Sequence, residues 1–167
     1  WCKQYSRLPV IVKLTPNVTN IRQPARAAKK GGADAVSLIN TINSVMSVDL
    51  DSLSINPTID RMGTHGGYCG PAVKPIALHM VSDLARDPDC EGLPISAIGG
   101  ISNWRDAVEF LLLGAGNVQV CTAAMTHGFK IVDDMIDGLS RFMGEKGFGS
   151  VSDTIGRAIP SLTDWQH

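Results

Sequence analysis

Lys13 is the residue whose setting most demands a chemical explanation. It interrupts Val10-Ile11-Val12-Lys13-Leu14, a run otherwise suited to burial in a sheet. An ammonium placed there has two outlets. It can pair inside the fold with a carboxylate from another strand. It can also stand as a fixed cation beside an electron-accepting ring and stabilise the negative charge that develops on reduction. Two further stretches end abruptly in small residues: 94–98 stops at Gly99-Gly100, and 117–120 stops at Cys121-Thr122, each just ahead of a helical pattern. A strand that breaks off in this way leaves backbone N–H groups bare at the positive end of the next helix, which suits a phosphate. Asn40-Thr41 closes another apolar run. Its amide and hydroxyl can pair with the imide or lactam edge of a ring, or simply cap the loop.

Other candidates carry less. Cys121 could be a small buried hydrophobe. Because it falls in a tight turn, its backbone N–H rather than its sulfur is the group assigned to a ligand. Cys69, within Gly66-Gly67-Tyr68-Cys69-Gly70, has no base nearby in sequence, so a backbone site is the better reading than a nucleophile. His65, His79, His127 and His167 have no mutual metal spacing, and no metal site is expected.

These residues need a frame. Strands are predicted over 10–14, 33–39, 94–98 and 117–120, and helices from Thr19 or Asn20 to 30, then over 71–86, 104–113 and 129–143, with a short extra turn at 122–126. The second strand is almost wholly apolar, which marks a parallel sheet covered on both faces. Residues 42–70 break the rhythm and read as a long loop serving as a lid or binding loop. Four β/α units result, whereas a closed eight-stranded barrel takes roughly 250 residues. The expectation is an α/β fold, the C-terminal half of a TIM (β/α)8 barrel, in which the loops after the last two strands often hold phosphate. A doubly wound sheet is the alternative, weakened by the absence of a glycine fingerprint at Thr15-Pro16-Asn17. Residues 1–145 are assigned to the half-barrel and 146–167, rich in Gly and Ser, to a tail or linker. The opening Trp1-Cys2-Lys3-Gln4-Tyr5 reads like the end of a helix, so the chain is expected to be a piece of a longer protein.

Composition narrows the class. The chain is 44% hydrophobic and 19% charged with a net charge of -1, which favours neither nucleic acid nor an anionic membrane as partner. No apolar run reaches the length of a membrane span. Four scattered cysteines without a C-x-x-C pair fit a reducing cytoplasm.

Taken together, Val12-Lys13-Leu14-Thr15-Pro16-Asn17, Ser37-Leu38-Ile39-Asn40-Thr41, the stretch from Thr64-His65-Gly66-Gly67-Tyr68-Cys69-Gly70 to Leu78, Ile98-Gly99-Gly100-Ile101 and Val118-Gln119-Val120-Cys121-Thr122-Ala123 resemble the dihydroorotate dehydrogenase-like flavoprotein barrels. Within that family the resemblance is to the branch that reduces pyrimidines with electrons from NAD(H). It implies an FMN site in which Lys13 contacts the flavin ring, while Gly70, Gly99, Gly100, Cys121 and Thr122 hold the ring edge, ribityl chain and phosphate. Asn40 and Thr41 would bind the pyrimidine. The implied reaction is reduction of uracil or thymine to the 5,6-dihydro form, with hydride from flavin N5 and a proton from a cysteine. In the family that cysteine lies on a loop upstream of everything in this chain. None of Cys2, Cys69, Cys90 or Cys121 inherits the role, no catalytic side chain is assigned here, and the chain alone is expected to be inactive. Iron–sulfur clusters and NAD(H) would belong to an absent domain or to a partner, an NAD-binding flavoprotein subunit, in an oligomeric assembly; residues 150–167 resemble the segment leading towards the iron–sulfur domain. The alternatives are dihydroorotate oxidation on the same scaffold and a non-catalytic, phosphate-binding half-barrel.

Overall fold

A computed structural model describes residues 1–60 and 62–163. The expected strands form one four-stranded parallel sheet: β1 (Ile11–Lys13), β2 (Ala35–Leu38), then β9 (Ile95–Ile98) and β10 (Asn117–Gln119), in the spatial order β1-β2-β9-β10. Helices α2 (Arg22–Lys30), α3 (Lys74–Ala85) and α4 (Trp104–Leu112) make the crossovers. Parallel neighbours require such connections, since a tight turn cannot return a strand in the same direction. A short α1 (Cys2–Tyr5) precedes the sheet, and α5 (Thr122–His127) and α6 (Ile131–Lys146) follow it.

Register assigns the two faces. Val12, Val36 and Ile95 stand side by side, as do Leu38, Ala97 and Val118. This apolar face packs on Ala25 of α2, Ala77, Val81 and Leu84 of α3 and Phe110 of α4. Because alternate residues point to opposite faces, the other face carries a row of quite different character: Lys13, Ser37, Ser96 and Asn117.

Residues 42–70 are not the irregular loop expected. They build three antiparallel ribbons, β3 (Ile42–Ser44) with β8 (Gly66–Tyr68), β4 (Ser47–Asp49) with β5 (Ser54–Asn56), and β6 (Thr58–Ile59) with β7 (Met62–Gly63). Strands of two or three residues are too short to show a period of two. Their turns are held by side chains instead: Asp49 Oδ1 accepts the N–H groups of Asp51 at 3.0 Å and Ser52 at 2.8 Å, and those bonds, with the Ser52 hydroxyl, hold its carboxyl below the usual range.

Smaller differences concern ends. Pro71–Val73 is a 3-10 turn, so α3 starts only at Lys74. Helix α2 begins after Ile21, although Asn20 Oδ1 does accept the Arg22 N–H at 3.0 Å. Helix α6 runs on to Lys146 and stops at Gly147. Part of the expected tail folds back on the body: Thr154 is fully buried, Gly156 N–H donates to the Leu111 carbonyl at 3.0 Å, and Ala158 N–H to that of Leu112 at 2.9 Å. Residues 164–167 of that tail, with His167, lie outside the described residues. Among the described residues no helix is long and apolar enough to cross a membrane.

Candidate functional site

A cleft opens at the carboxyl ends of the sheet strands. Lys13 reaches it from the end of β1, Asn40 and Thr41 from the loop after β2, Gly99 and Gly100 from the turn after β9, and Cys121 and Thr122 from the turn after β10. Gly70, just ahead of α3, completes the rim. All eight residues singled out in the sequence thus line one concavity, with Ile39, Val73, Ile98 and Ile101 as apolar wall. An apolar cleft with a few converging polar groups is the form that small-molecule sites take.

Lys13 is exposed on the edge strand, and none of the carboxylates among the described residues pairs with it. The interior ion pair that the sequence left open is not formed among the described residues. Its row-mates are tied together below it. Gln119 Nε2 donates to the hydroxyls of Ser37 and Ser96, both at 2.8 Å, and Ser96 donates to Asn117 Oδ1. Gln119 itself lines the cleft. It went unnoticed in the sequence, although Asn117-x-Gln119 places two polar residues on one face of a strand.

At Asn40 the loop-capping reading is seen directly. Its Oδ1 accepts the Thr41 N–H at 3.0 Å, which is loop capping. That bond leaves Asn40 Nδ2 and the Thr41 hydroxyl without a hydrogen-bond partner among the described residues. Asn17, also missed, straps the same loop: its Nδ2 donates to the Thr41 carbonyl at 3.1 Å and its Oδ1 accepts the Asn43 N–H at 2.9 Å. A pair of polar groups is therefore held at the cleft by neighbours that do not compete for them.

The opposite end of the cleft is built from contact between turns. Gly100 has φ +73°, and a Cβ there would stand 2.8 Å from the Gly70 carbonyl oxygen and 2.9 Å from Lys74 Cβ. Only glycine allows that approach. Cys121 is exposed rather than a buried hydrophobe, and Cys69 is exposed with its sulfur 3.5 Å from the Thr122 hydroxyl.

This arrangement of strand ends, cation and glycine turns sits in a chain whose residues 1–143 match the family model described as dihydroorotate dehydrogenase; the chain belongs to that family. Its relatives divide between two named activities. It is 44% identical over 156 residues to the NAD-dependent dihydropyrimidine dehydrogenase subunit PreA of Escherichia coli (strain K12), covering 93% of this chain and 38% of that protein. To the dihydroorotate dehydrogenase B (NAD(+)) catalytic subunit of Pyrococcus abyssi it is 45% identical over 157 residues, 94% of this chain and 50% of that one. The chloroplastic dihydropyrimidine dehydrogenase (NADP(+)) of Arabidopsis thaliana is 38% identical over 166 residues, 98% of this chain and 39% of the relative. The chain spans half the length of these relatives or less.

Proposed function

We propose that this chain supplies the C-terminal half of an FMN-binding TIM barrel in an oxidoreductase that reduces uracil or thymine to the 5,6-dihydropyrimidine. The observation that carries the reading is Lys13, a cation without a carboxylate partner among the described residues, set in the same apolar cleft as two glycine-bearing turns and the Cys121-Thr122 turn. The cleft fits FMN in character. An apolar wall suits the faces of a flat ring, and closely apposed backbone turns suit an anionic end. When bound, FMN supplies the electron pair, transferred as hydride.

The residues of this chain then have separate tasks. Lys13 holds positive charge at the ring end, where reduction makes the ring more negative. Backbone groups of Gly70, Gly99, Gly100, Cys121 and Thr122 take the ring edge, ribityl chain and phosphate. Asn40 Nδ2 and the Thr41 hydroxyl, held free by Asn17 and by the Asn40 cap, meet the carbonyl and imide groups of the pyrimidine. The proton that completes the reduction is assigned to a cysteine outside this chain. Residues 146–167 lead towards an iron–sulfur domain, and the electrons come from NAD(H) through a partner flavoprotein subunit in a cytoplasmic oligomer.

Anaerobic titration of the intact, photoreduced flavoprotein tests this. Uracil or thymine should reoxidise the flavin within the mixing time of a manual experiment; no reoxidation by either would end the proposal. The similarly close dihydroorotate dehydrogenase relative supports a second reading on the same site. Bleaching of the oxidised flavin by dihydroorotate, with no response to uracil or thymine, would establish it instead.

A further inference from the structure

We propose that the ion pair between Lys74 and Asp106 is a positioning device for the anionic end of the cleft, clamping the turn at 99–102 against the turn at 70–74. The inference rests on the reading of the cleft as an FMN site.

Neither side chain lines the cleft, but each controls a segment that does. Asp106 lies in the first turn of α4 with its side chain 10% exposed. Its Oδ1 meets Lys74 Nζ at 2.6 Å, and its Oδ2 receives the Ser102 N–H at 2.8 Å and Asn103 Nδ2 at 3.0 Å. One carboxylate thus fixes both the exit of the Gly99-Gly100 turn and the start of α3. Gly100 fills the gap between them, against the Gly70 carbonyl and the backbone of Lys74. If the pair opened, that contact would lose its charge-assisted tie and rest on the packing of Ala77 beneath Gly99, because a glycine turn has no stiffness of its own.

Lys74 does not act as a phosphate ligand. Its ammonium is shared between Asp106 and Glu109 Oε2, the latter at 2.9 Å, so the cluster carries net negative charge. The bond to Asp106, then that to Glu109, raises its pKa above the ordinary value, and it stays charged through any assay range. A group that touches no ligand and offers no spare charge influences binding only through the backbone it holds. Charge-assisted, part-buried bonds are the kind strong enough to do so.

A phosphate-specific readout separates positioning from general support. Dissociation constants for FMN and for riboflavin, which lacks the phosphate, are measured by flavin fluorescence quenching on the intact protein. In Asp106→Asn and in Lys74→Met, the constant for FMN should rise roughly tenfold, about the effect of one charge-assisted bond, while that for riboflavin stays within about twofold. Lys74→Arg, which keeps the charge, should recover most of the FMN affinity. An unchanged FMN constant in either folded variant, or equal weakening of FMN and riboflavin, would overturn the clamp. Should the parent protein bind FMN no better than riboflavin, the phosphate reading of the cleft falls first and takes the clamp with it.

Discussion

A lysine in a β-branched run is costly to leave without purpose, and that cost is what makes Lys13 stand out in the sequence. Among the described residues the structure offers no paired carboxylate and leaves the cation at the cleft. Lys13→Met in the intact protein should slow reduction of the oxidised flavin by 5,6-dihydropyrimidine, the reverse half-reaction, by on the order of 10²-fold, because the lost charge acts where negative charge develops. Stopped-flow absorbance at the flavin band reads this directly, and an unchanged rate would remove Lys13 from the site. Gln119 and Asn17 were not legible in the same way. Their roles depend on partners 82 and 26 positions away in sequence, Ser37 and Asn43, and beyond the Asn117-x-Gln119 alternation no local pattern announces them. The cysteines separate by surroundings. Burial, then its bond to Asp87, pushes the Cys90 thiol up to about 11, whereas Cys69 and Cys121 are exposed. A thiol held protonated is a poor nucleophile. Iodoacetamide at pH 8 should therefore leave Cys90 unmodified in the folded protein and alkylate it only after denaturation, as read by peptide mass spectrometry.

Elements were legible where length allowed. Four strands of three or four residues were recognised because each lies in a short run that ends in a turn signal, and three crossover helices because their sequences fit a helical pattern between such signals. The ribbons of 42–70 escaped because pairing, not periodicity, makes them strands. What holds the elements together was also hidden. Arg26 of α2 grips Asp87, just beyond α3, through two bonds of 2.8 and 2.7 Å, and the Asp87 side chain is wholly shielded from solvent. The Arg26 guanidinium holds the carboxyl down at about 2, against 3.8 for a free one. A depressed carboxylate stabilises the fold above the unfolded value and ceases to do so as pH falls through the folded one. Asp87→Asn should thus cost about 1–3 kcal/mol at neutral pH, the usual worth of a charge-assisted pair that is partly open to water. The gap between parent and variant in urea midpoint should close between pH 4 and pH 2; a gap of constant size would show that the pair carries no ionic contribution. Packing of α6 on α4 depends on Gly138, over which the Trp104 ring lies so closely that a Cβ would overlap it. In most helices Gly→Ala stabilises. Here Gly138→Ala should destabilise by about 1–3 kcal/mol, the ordinary penalty of overpacking, seen as a lower thermal midpoint.

For the molecule as a whole, the strand ends that line the cleft were readable and the exposed apolar surface was not. The sequence located the ends of the strands, since strand ends are where the chain changes character. It could not show that the arm built from 42–70 projects apolar side chains into solvent: Leu50 and Leu53 are 82% and 81% exposed, Met62 72% and Ile59 65%. On the sheet, β1 and β10 are both edge strands among the described residues, and Ile11 on β1 is 57% exposed. Open edges and a contiguous apolar arm are the two features that drive unplanned association. Net charge of -1 offers little repulsion to oppose it. The 167-residue polypeptide, prepared by itself, should therefore sediment as dimers or larger species at micromolar concentration. Charged substitutions should act differently at the two places. Leu50→Lys with Leu53→Glu should reduce association if the arm dominates, and Ile11→Lys should do so if the sheet edge dominates. A monomer at all concentrations would mean that the arm and the edges are already protected by packing within the chain, contrary to their exposure.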